Sequence, residues 1–464
     1  LPKVITDAAA RFAGSVDVAI VGGGAAGLVA ALRAREAGAE TLVIERDKLP
    51  RGSTALSAGL IPAAGTRFQK SAGIVDTPAA FAADVMRKAA GQPDPAAVRL
   101  LSEVSGPAVD WLADRHDLPF SVIDNFTYPG HSAKRMHGLP SRSGAELMDR
   151  LTTAAERSGV LMMTDATVDL LVRDEQGRIL GVGVVRPDGS REQIGCRSLV
   201  LACNGYGGNP ALVARHAPEM SGALYFGHPG NQGDAVIWGQ LLGAGMRHLS
   251  GYQGHGSVAH PHGILITWAT ITEGGFQVNA AGRRFHNEAA GYSEAAAAVA
   301  AQPDGLAWQV FDARIAGIAR QFEDFRTAAA HGALVSGPDW TWLASRMQVD
   351  SAALNETAAE VSALKSRGGT DTFGRDWTGA PELAPPFHAV RVRGALFHTQ
   401  GGLVVDRDAR VLRQSGEPFP NLFAAGGAAC GVSGANASGY LSGNGLLTAI
   451  GYGFIAGRAA AGLR

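Results

Sequence analysis

The sequence predicts an α/β fold, a parallel sheet with a dinucleotide-binding turn, in a chain long enough to hold a second domain. Three observations carry this. A strand, a glycine run, a helix and a second strand follow one another between Asp17 and Glu45. Two further apolar runs, Leu199-Val200-Leu201-Ala202 and Asn421-Leu422-Phe423-Ala424, lie far along the chain and each end in a glycine turn. At 464 residues the chain exceeds one ordinary core, so two domains, or one with a large insertion, are expected.

Val18-Ala19-Ile20-Val21 is short, apolar and rich in β-branched residues, as a buried parallel strand should be. Gly22, Gly24 and Gly27 supply a GxGxxG spacing. The first allows a sharp turn, the second lets backbone approach a pyrophosphate, and the third lets the helix pack on the strand. Leu28, Ala31 and Leu32 continue at helical spacing, and the helix N-terminus favours phosphate charge. Gly38 ends the helix and Thr41-Leu42-Val43-Ile44 is the next strand. Glu45, at its tip, stands about 20 residues past the glycines, where an acid binds ribose hydroxyls. A lone GxGxxG is also compatible with an ordinary glycine turn; strand, glycines, helix, strand and acid in order make a Rossmann-like site. No second GxGxxG follows to bind a nicotinamide, which favours FAD.

Composition narrows the class. Hydrophobic residues at 46% and charged residues at 18% suit a soluble enzyme, and a net charge of -1 gives no reason to expect nucleic acid or an anionic membrane. Cys196, Cys203 and Cys430 form no CxxC pair, and His260, His262, His286 and His398 form no metal motif, so no metal is expected. Cys203 and Cys430 read as small core residues. No run of about 18 apolar residues suggests a membrane span. Leu1 to Gly14 lacks a basic start followed by an apolar run, so a cytoplasmic location is expected unless a leader was trimmed ahead of Leu1.

Several further segments resemble the fumarate reductase and succinate dehydrogenase flavoproteins and their relatives, the ketosteroid dehydrogenases. They are Arg51-Gly52-Ser53-Thr54-Ala55-Leu56-Ser57-Ala58-Gly59, Asn231-Gln232-Gly233-Asp234, His260-Pro261, Gly282 to Glu288 (GRRFHNE), His398-Thr399-Gln400-Gly401-Gly402 and Gly434-Ala435-Asn436. The resemblance implies a glutathione-reductase-like FAD-binding domain, residues 1–254 and 398–464, with an inserted α+β cap domain at 255–397 that closes over the flavin. Within the insertion, Glu294 to Ala301 and Ala313 to Arg326 read as helices. It also implies FAD contacts from Ala26, Arg46, Ser53, Thr54, Ser57, Ala58, Gly59, Val168, Ala202, Asn204, Gly205, Gly233, Asp234, Gly426, Gly427, Asn444, Leu446 and Leu447. The acid usual in the family's AAGE turn is missing, because Gly427 stands there.

Two positions choose the chemistry. Where the fumarate reductases carry a proton-donating arginine after the RFxNE motif, this chain has Tyr292. Where their closing segment carries a carboxylate-clamping arginine, it has Tyr440, after a three-residue insertion. Trp268 and Ile271 stand closest to the Glu and Arg of their proton relay. Arginine grips a carboxylate bidentately and tyrosine does not. A tyrosine hydroxyl can instead bind one carbonyl oxygen and stabilise an enolate. This Tyr-for-Arg pattern resembles the ketosteroid dehydrogenases, and Tyr440-Leu441-Ser442-Gly443 is similar to their Tyr-x-Ser segment. The bland alternative is that both tyrosines are packing residues.

The resemblance thus implies an FAD-dependent dehydrogenase that introduces a C=C bond next to a carbonyl. Tyr440, with the Asn444 backbone N–H, polarises the carbonyl, and Tyr292 takes the α-proton. Tyr128 could assist or anchor its turn, and His398 could bind a carbonyl or orient a loop. Ser442, His260 and Thr267 are further substrate candidates. His131, Arg135 and His137 could face the pocket but read first as a solvated basic loop. The partner is a small carbonyl compound, with oxygen, a quinone or a carrier protein as electron acceptor. The alternatives are an ene-reductase running the reaction backwards and a non-catalytic FAD-binding subunit.

Overall fold

The computed structural model describes residues 2–124 and 127–463. The chain divides into two compact units, one of Leu1–His216, Gly227–Tyr252 and His398–Arg464, the other of Ala217–Phe226 and Gln253–Phe397. No helix among the described residues is long and apolar enough to cross a membrane.

The first unit is built on a nine-stranded sheet. Its strands run in the order Lys3–Thr6, Thr167–Arg173, Ile179–Val185, Arg191–Leu201, Gly14–Val21, Thr41–Ile44 and Leu161–Met163. Pro418–Ala424 also pairs with Arg191–Leu201 and carries Arg410–Leu412 at its side. The three segments picked out in the sequence form neighbouring parallel strands, because Leu201 pairs with Val21 on one side and with Ala424 on the other. Their ends are level, so the turns beginning at Gly22, Ala202 and Ala425 leave the sheet at one edge. In open parallel sheets that edge is where ligands bind.

Two helices close this edge. Ala25–Glu36 is buried on every side over Ala25 to Leu32, as the small and apolar residues of that stretch require, and only Arg33, Arg35 and Glu36 in its last turn reach the surface. The closing helix Asn444–Ala461 lies against it through Gly453 and Gly457. A Cβ on these glycines would come within 2.6 Å of Ala26 O and 2.1 Å of Ala30 O, so only glycine permits this approach of the two backbones.

The second unit has a seven-stranded sheet, with Ile264–Leu265, Tyr252–Ala259, Phe387–Thr399, Leu306–Asp312 and Phe276–Val278 in that order. Phe387–Thr399 also pairs with Leu224–Tyr225 and Leu334–Gly337, which brings the short segment Ala217–Phe226 into this unit. The helix Tyr292–Ala300 lies on the glycines of this sheet. A Cβ on Gly254 or Gly256 would stand 2.4 or 2.6 Å from the Cβ of Ala296 or Ala295. Ala313 to Arg326 is not one helix but two, Ala313–Ala319 and Glu323–Ala330. Phe322 between them is extended (φ -93°, ψ 132°) and packs on the unit's core, and that contact breaks the helix.

Candidate active site

The glycine turn of the first unit is shaped by contact on two of its glycines and by open space on the third. A Cβ on Gly22 would lie 2.5 Å from Ala202 O, and one on Gly27 would lie 1.9 Å from Gly22 O. At Gly24 the nearest atom to such a Cβ is Thr54 Oγ1, at 3.9 Å. The protein leaves this face free, as backbone approach to a pyrophosphate demands. Gly24 has no side-chain cap to offer the helix, and the amides of the first turn, including those of Ala26 and Gly27, have no acceptor within the helix. Ala25 N–H is met by Thr54 Oγ1 at 3.3 Å. Glu45 is buried and accepts from Gly23 N–H at 2.6 Å and Asp47 N–H at 3.0 Å, which fixes its carboxylate beside the turn.

Arg46 pairs with Asp234 at 2.7 Å, at the start of the helix Asp234–Leu242 that Gly233 caps. Ser53 Oγ accepts from His228 N–H and from Asn231 Nδ2, tying its loop to that segment. Ser57 and Ala58 are exposed and Gly59 is buried in the same loop. Val168 is buried beside a bulge in its strand. Ala202, Asn204 and Gly205 form the middle turn, Gly426 and Gly427 the last one. These two turns press together, since a Cβ on Gly427 would stand 2.1 Å from Asn204 Oδ1.

The closing helix supplies the rest. Gly443 caps it in the left-handed region (φ 88°), and Asn444, Leu446 and Leu447 form its first turn. Asn444 is fully buried, and its Oδ1 has no hydrogen-bond partner among the described residues. A buried carbonyl oxygen is costly unless it is met. An N–H of a flavin would meet it, and with the free face at Gly24 this makes the edge fit FAD.

Tyr440 is buried just before this helix, and its hydroxyl lies 3.5 Å from the amide of Gly445. Burial pushes its pKa up to about 12, reinforced by Tyr128 and opposed by the Gly445 and Gly443 amides. The hydroxyl therefore stays protonated at neutral pH and can donate. Tyr128 is pushed up to about 12 by burial as well, and its carbonyl accepts from His131 N–H in the turn. His398 packs edge-on against the Tyr440 ring at 5.5 Å. Burial holds its pKa down at about 4, against a bond to the Thr399 backbone, so the ring is neutral. The Ser442 carbonyl accepts from His131 Nε2 at 3.0 Å.

In the second unit, Tyr292 is the first residue of its helix and stacks on His255, with centroids 4.8 Å apart. His255 stacks in turn on Phe397 at 5.4 Å, and Phe397 on Phe226 at 4.8 Å, while Trp268 meets Tyr292 edge-on. Thr267 leads into Trp268, and its Oγ1 accepts from Ala269 N–H. His260 lies elsewhere, partly exposed at the turn after the strand, beside Arg391, Arg393 and His262. Sequence reasoning passed over His255, the histidine that does touch Tyr292. Burial drives its pKa down to about 3, and its Nδ1 has no partner among the described residues. The signal available was a single histidine between two glycines.

The reading of His131, Arg135 and His137 as a solvated loop is corrected. All three are buried, and Arg135 is bracketed by Asp76 at 3.0 Å and Asp84 at 2.6 Å. The partners lie far back in sequence, so the loop looked uncompensated.

The chain matches the FAD binding domain family over residues 17–446. It is 30% identical over 451 residues to the probable fumarate reductase Ifc3 of Shewanella frigidimarina, covering 96% of this chain and 75% of that one. It is 30% identical over 452 residues to an NADH:fumarate oxidoreductase of Klebsiella pneumoniae, with 96% of this chain covered, but spans only 48% of that relative's length. Among solved structures, the 3-ketosteroid-Δ4-(5α)-dehydrogenase of Rhodococcus jostii in complex with 4-androstene-3,17-dione is similar with a TM-score of 0.77 and 26% identity, covering 98% of each chain. The chain belongs to the FAD binding domain family, as an FAD-dependent oxidoreductase with fumarate reductases among its relatives.

Proposed function

We propose that the chain is a dehydrogenase that introduces a C=C bond α,β to a ketone or related carbonyl. The observation that carries this reading is the buried Tyr440 hydroxyl beside the first turn of the closing helix, at the position where the fumarate reductases that the sequence resembles carry a carboxylate-clamping arginine. A neutral donor suits a carbonyl oxygen whose charge grows as the α-proton leaves. His398, neutral and against the same ring, is suited to a neutral substrate too. Tyr292 is assigned as the base that takes the α-proton, on its place after the GRRFHNE motif. FAD, when bound, accepts the β-hydride. The likeness to a ketosteroid dehydrogenase supports the carbonyl class.

Anaerobic mixing of the FAD-loaded protein with a panel of cyclic ketones tests this. Bleaching of the flavin absorbance with formation of the enone is expected. Rapid oxidation of reduced protein by fumarate, with no bleaching by any ketone, would overturn it. The opposite direction, reduction of an enone, is favoured by the fumarate-reducing names of the relatives. Turnover with a reduced rather than an oxidised dye separates the two.

A further inference from the structure

Three side chains of the first unit join the head of the closing helix to His398. Asn444 Nδ2 donates to Ser433 Oγ at 2.9 Å, Ser433 Oγ donates to Gln400 Oε1 at 2.6 Å, and Gln400 Nε2 lies 2.8 Å from His398 Nδ1. Asn444 and Ser433 are 0% exposed and Gln400 4%, so water does not interrupt the chain. Each link sets the sense of the next. A hydroxyl that accepts from Asn444 has its one proton left for Gln400, and an amide whose oxygen accepts there turns its NH₂ to the ring. The ring nitrogen that meets an NH₂ group offers a lone pair, so with Gln400 in this sense a neutral imidazole carries its proton on Nε2, against the Thr399 backbone carbonyl that also competes for a ring proton. A Cβ on Gly445 would strike both Cε1 and Nε2 of His398 at 2.8 Å. Glycine at that position thus lets the Nε2 edge lie against the helix head, beside Tyr440.

We propose that Gln400 and Ser433 are positioning residues that hold His398 as the Nε2–H tautomer, so that it gives the substrate carbonyl a second hydrogen-bond donor beside Tyr440. This deepens the carbonyl reading above and rests on it. The chain's outer end fits the same picture, because the buried Asn444 Oδ1 is left to accept from the cofactor once Nδ2 is committed to Ser433.

The test is long-range ¹H–¹⁵N correlation on holoenzyme labelled in its histidine rings, with the His398 signals assigned by their loss in His398→Asn. A lone-pair shift at Nδ1 and a protonated shift at Nε2, unchanged between about pH 6 and 8, are expected. Gln400→Leu should give a mixture of tautomers and lower turnover roughly 10- to 100-fold, as loss of an orienting partner does. Gln400→Glu should move the proton to Nδ1. Ser433→Ala breaks the chain one link away and should reproduce the mixture, which covers the case of a misfolded Gln400→Leu. A wild-type proton on Nδ1, the sense in which every link reverses, would overturn the inference. So would spectra and turnover that ignore both Gln400→Leu and Ser433→Ala. If the Nε2–H tautomer is present but Tyr440→Phe turns over normally, the carbonyl reading falls instead, and the donor role with it.

Discussion

The proposed reaction sets Tyr440 and Tyr292, the same side chain, to opposite tasks. At Tyr440 the hydroxyl must keep its proton, and burial pushes its pKa up to about 12. Tyr440→Phe retains the ring and its packing against His398 and removes the hydroxyl, the proposed donor, together with its contact to the Gly445 N–H. Turnover should fall by about 10² to 10³, the usual loss when one donor to a developing oxyanion is removed. Stopped-flow flavin reduction reads this directly, and a wild-type rate would make Tyr440 a packing residue. Tyr292, as a base, must lose its proton instead. A free tyrosine has a pKa of about 10, so little phenolate exists at neutral pH, and flavin reduction should speed up as pH rises toward that value. Tyr292→Phe should still bind FAD and stack on His255, yet slow the reductive step by about 10² to 10⁴ and lose the alkaline rise. Persistence of the rise in that variant would move the base elsewhere, with Tyr128 next to test.

Among the elements, those encoded locally were legible and those defined by distant partners were not. The turn at Gly22, the helix after it and Glu45 announce themselves because one stretch holds the strand, the glycines and the acid. The strands ending at Leu201 and Ala424 were legible as apolar runs before glycine, and their pairing with Val21 followed from the need for one sheet. His255 was missed because its meaning lies in the stack of Tyr292 and Phe397, two residues far from it in sequence. Arg135 was misread for the same reason, since Asp76 and Asp84 neutralise it from another segment. Gln400 lay inside a recognised motif, yet its bond to His398 depends on Ser433 and Asn444 being near. The glycine turn allows a clean separation of folding from binding. At Gly24 an added Cβ meets no protein atom closer than 3.9 Å, in contrast to Gly22 and Gly27. Gly24→Val should therefore fold with the melting temperature of the apoprotein, yet purify colourless and take up no FAD in a fluorescence titration. Aggregation of the variant, or normal yellow protein, would contradict this account of the turn.

Across the whole molecule, each unit holds a buried cluster of carboxylates and arginines, and the two clusters make stability depend on acid in the same direction. In the first unit Asp84 is held down at about 2, by bonds from Ser132, Arg135 and Arg87 that outweigh its burial. In the second, Glu288 is fully buried between Arg284 at 2.6 Å and Arg375 at 3.1 Å, and these cations hold it down at about 2 against a strong burial effect. Both folded values lie below the ordinary carboxylate range of about 4, so each group stabilises the fold above that value. That contribution is lost as pH falls from about 4 through about 2, where the folded protein too becomes protonated. The melting temperature should thus be level near neutrality and fall steeply below about pH 4. Glu288→Gln isolates one cluster. It leaves Arg284 and Arg375 without their shared carboxylate, and removing one partner of a buried ion pair costs about 3 to 5 kcal/mol at neutral pH. As pH drops toward about 2 the wild-type carboxylate is neutralised as well, so the gap between variant and wild type should narrow. Urea unfolding at pH 7 and again near pH 3 measures both gaps. A difference that stays constant or widens in acid would show that Glu288 is not held ionised by its two arginines.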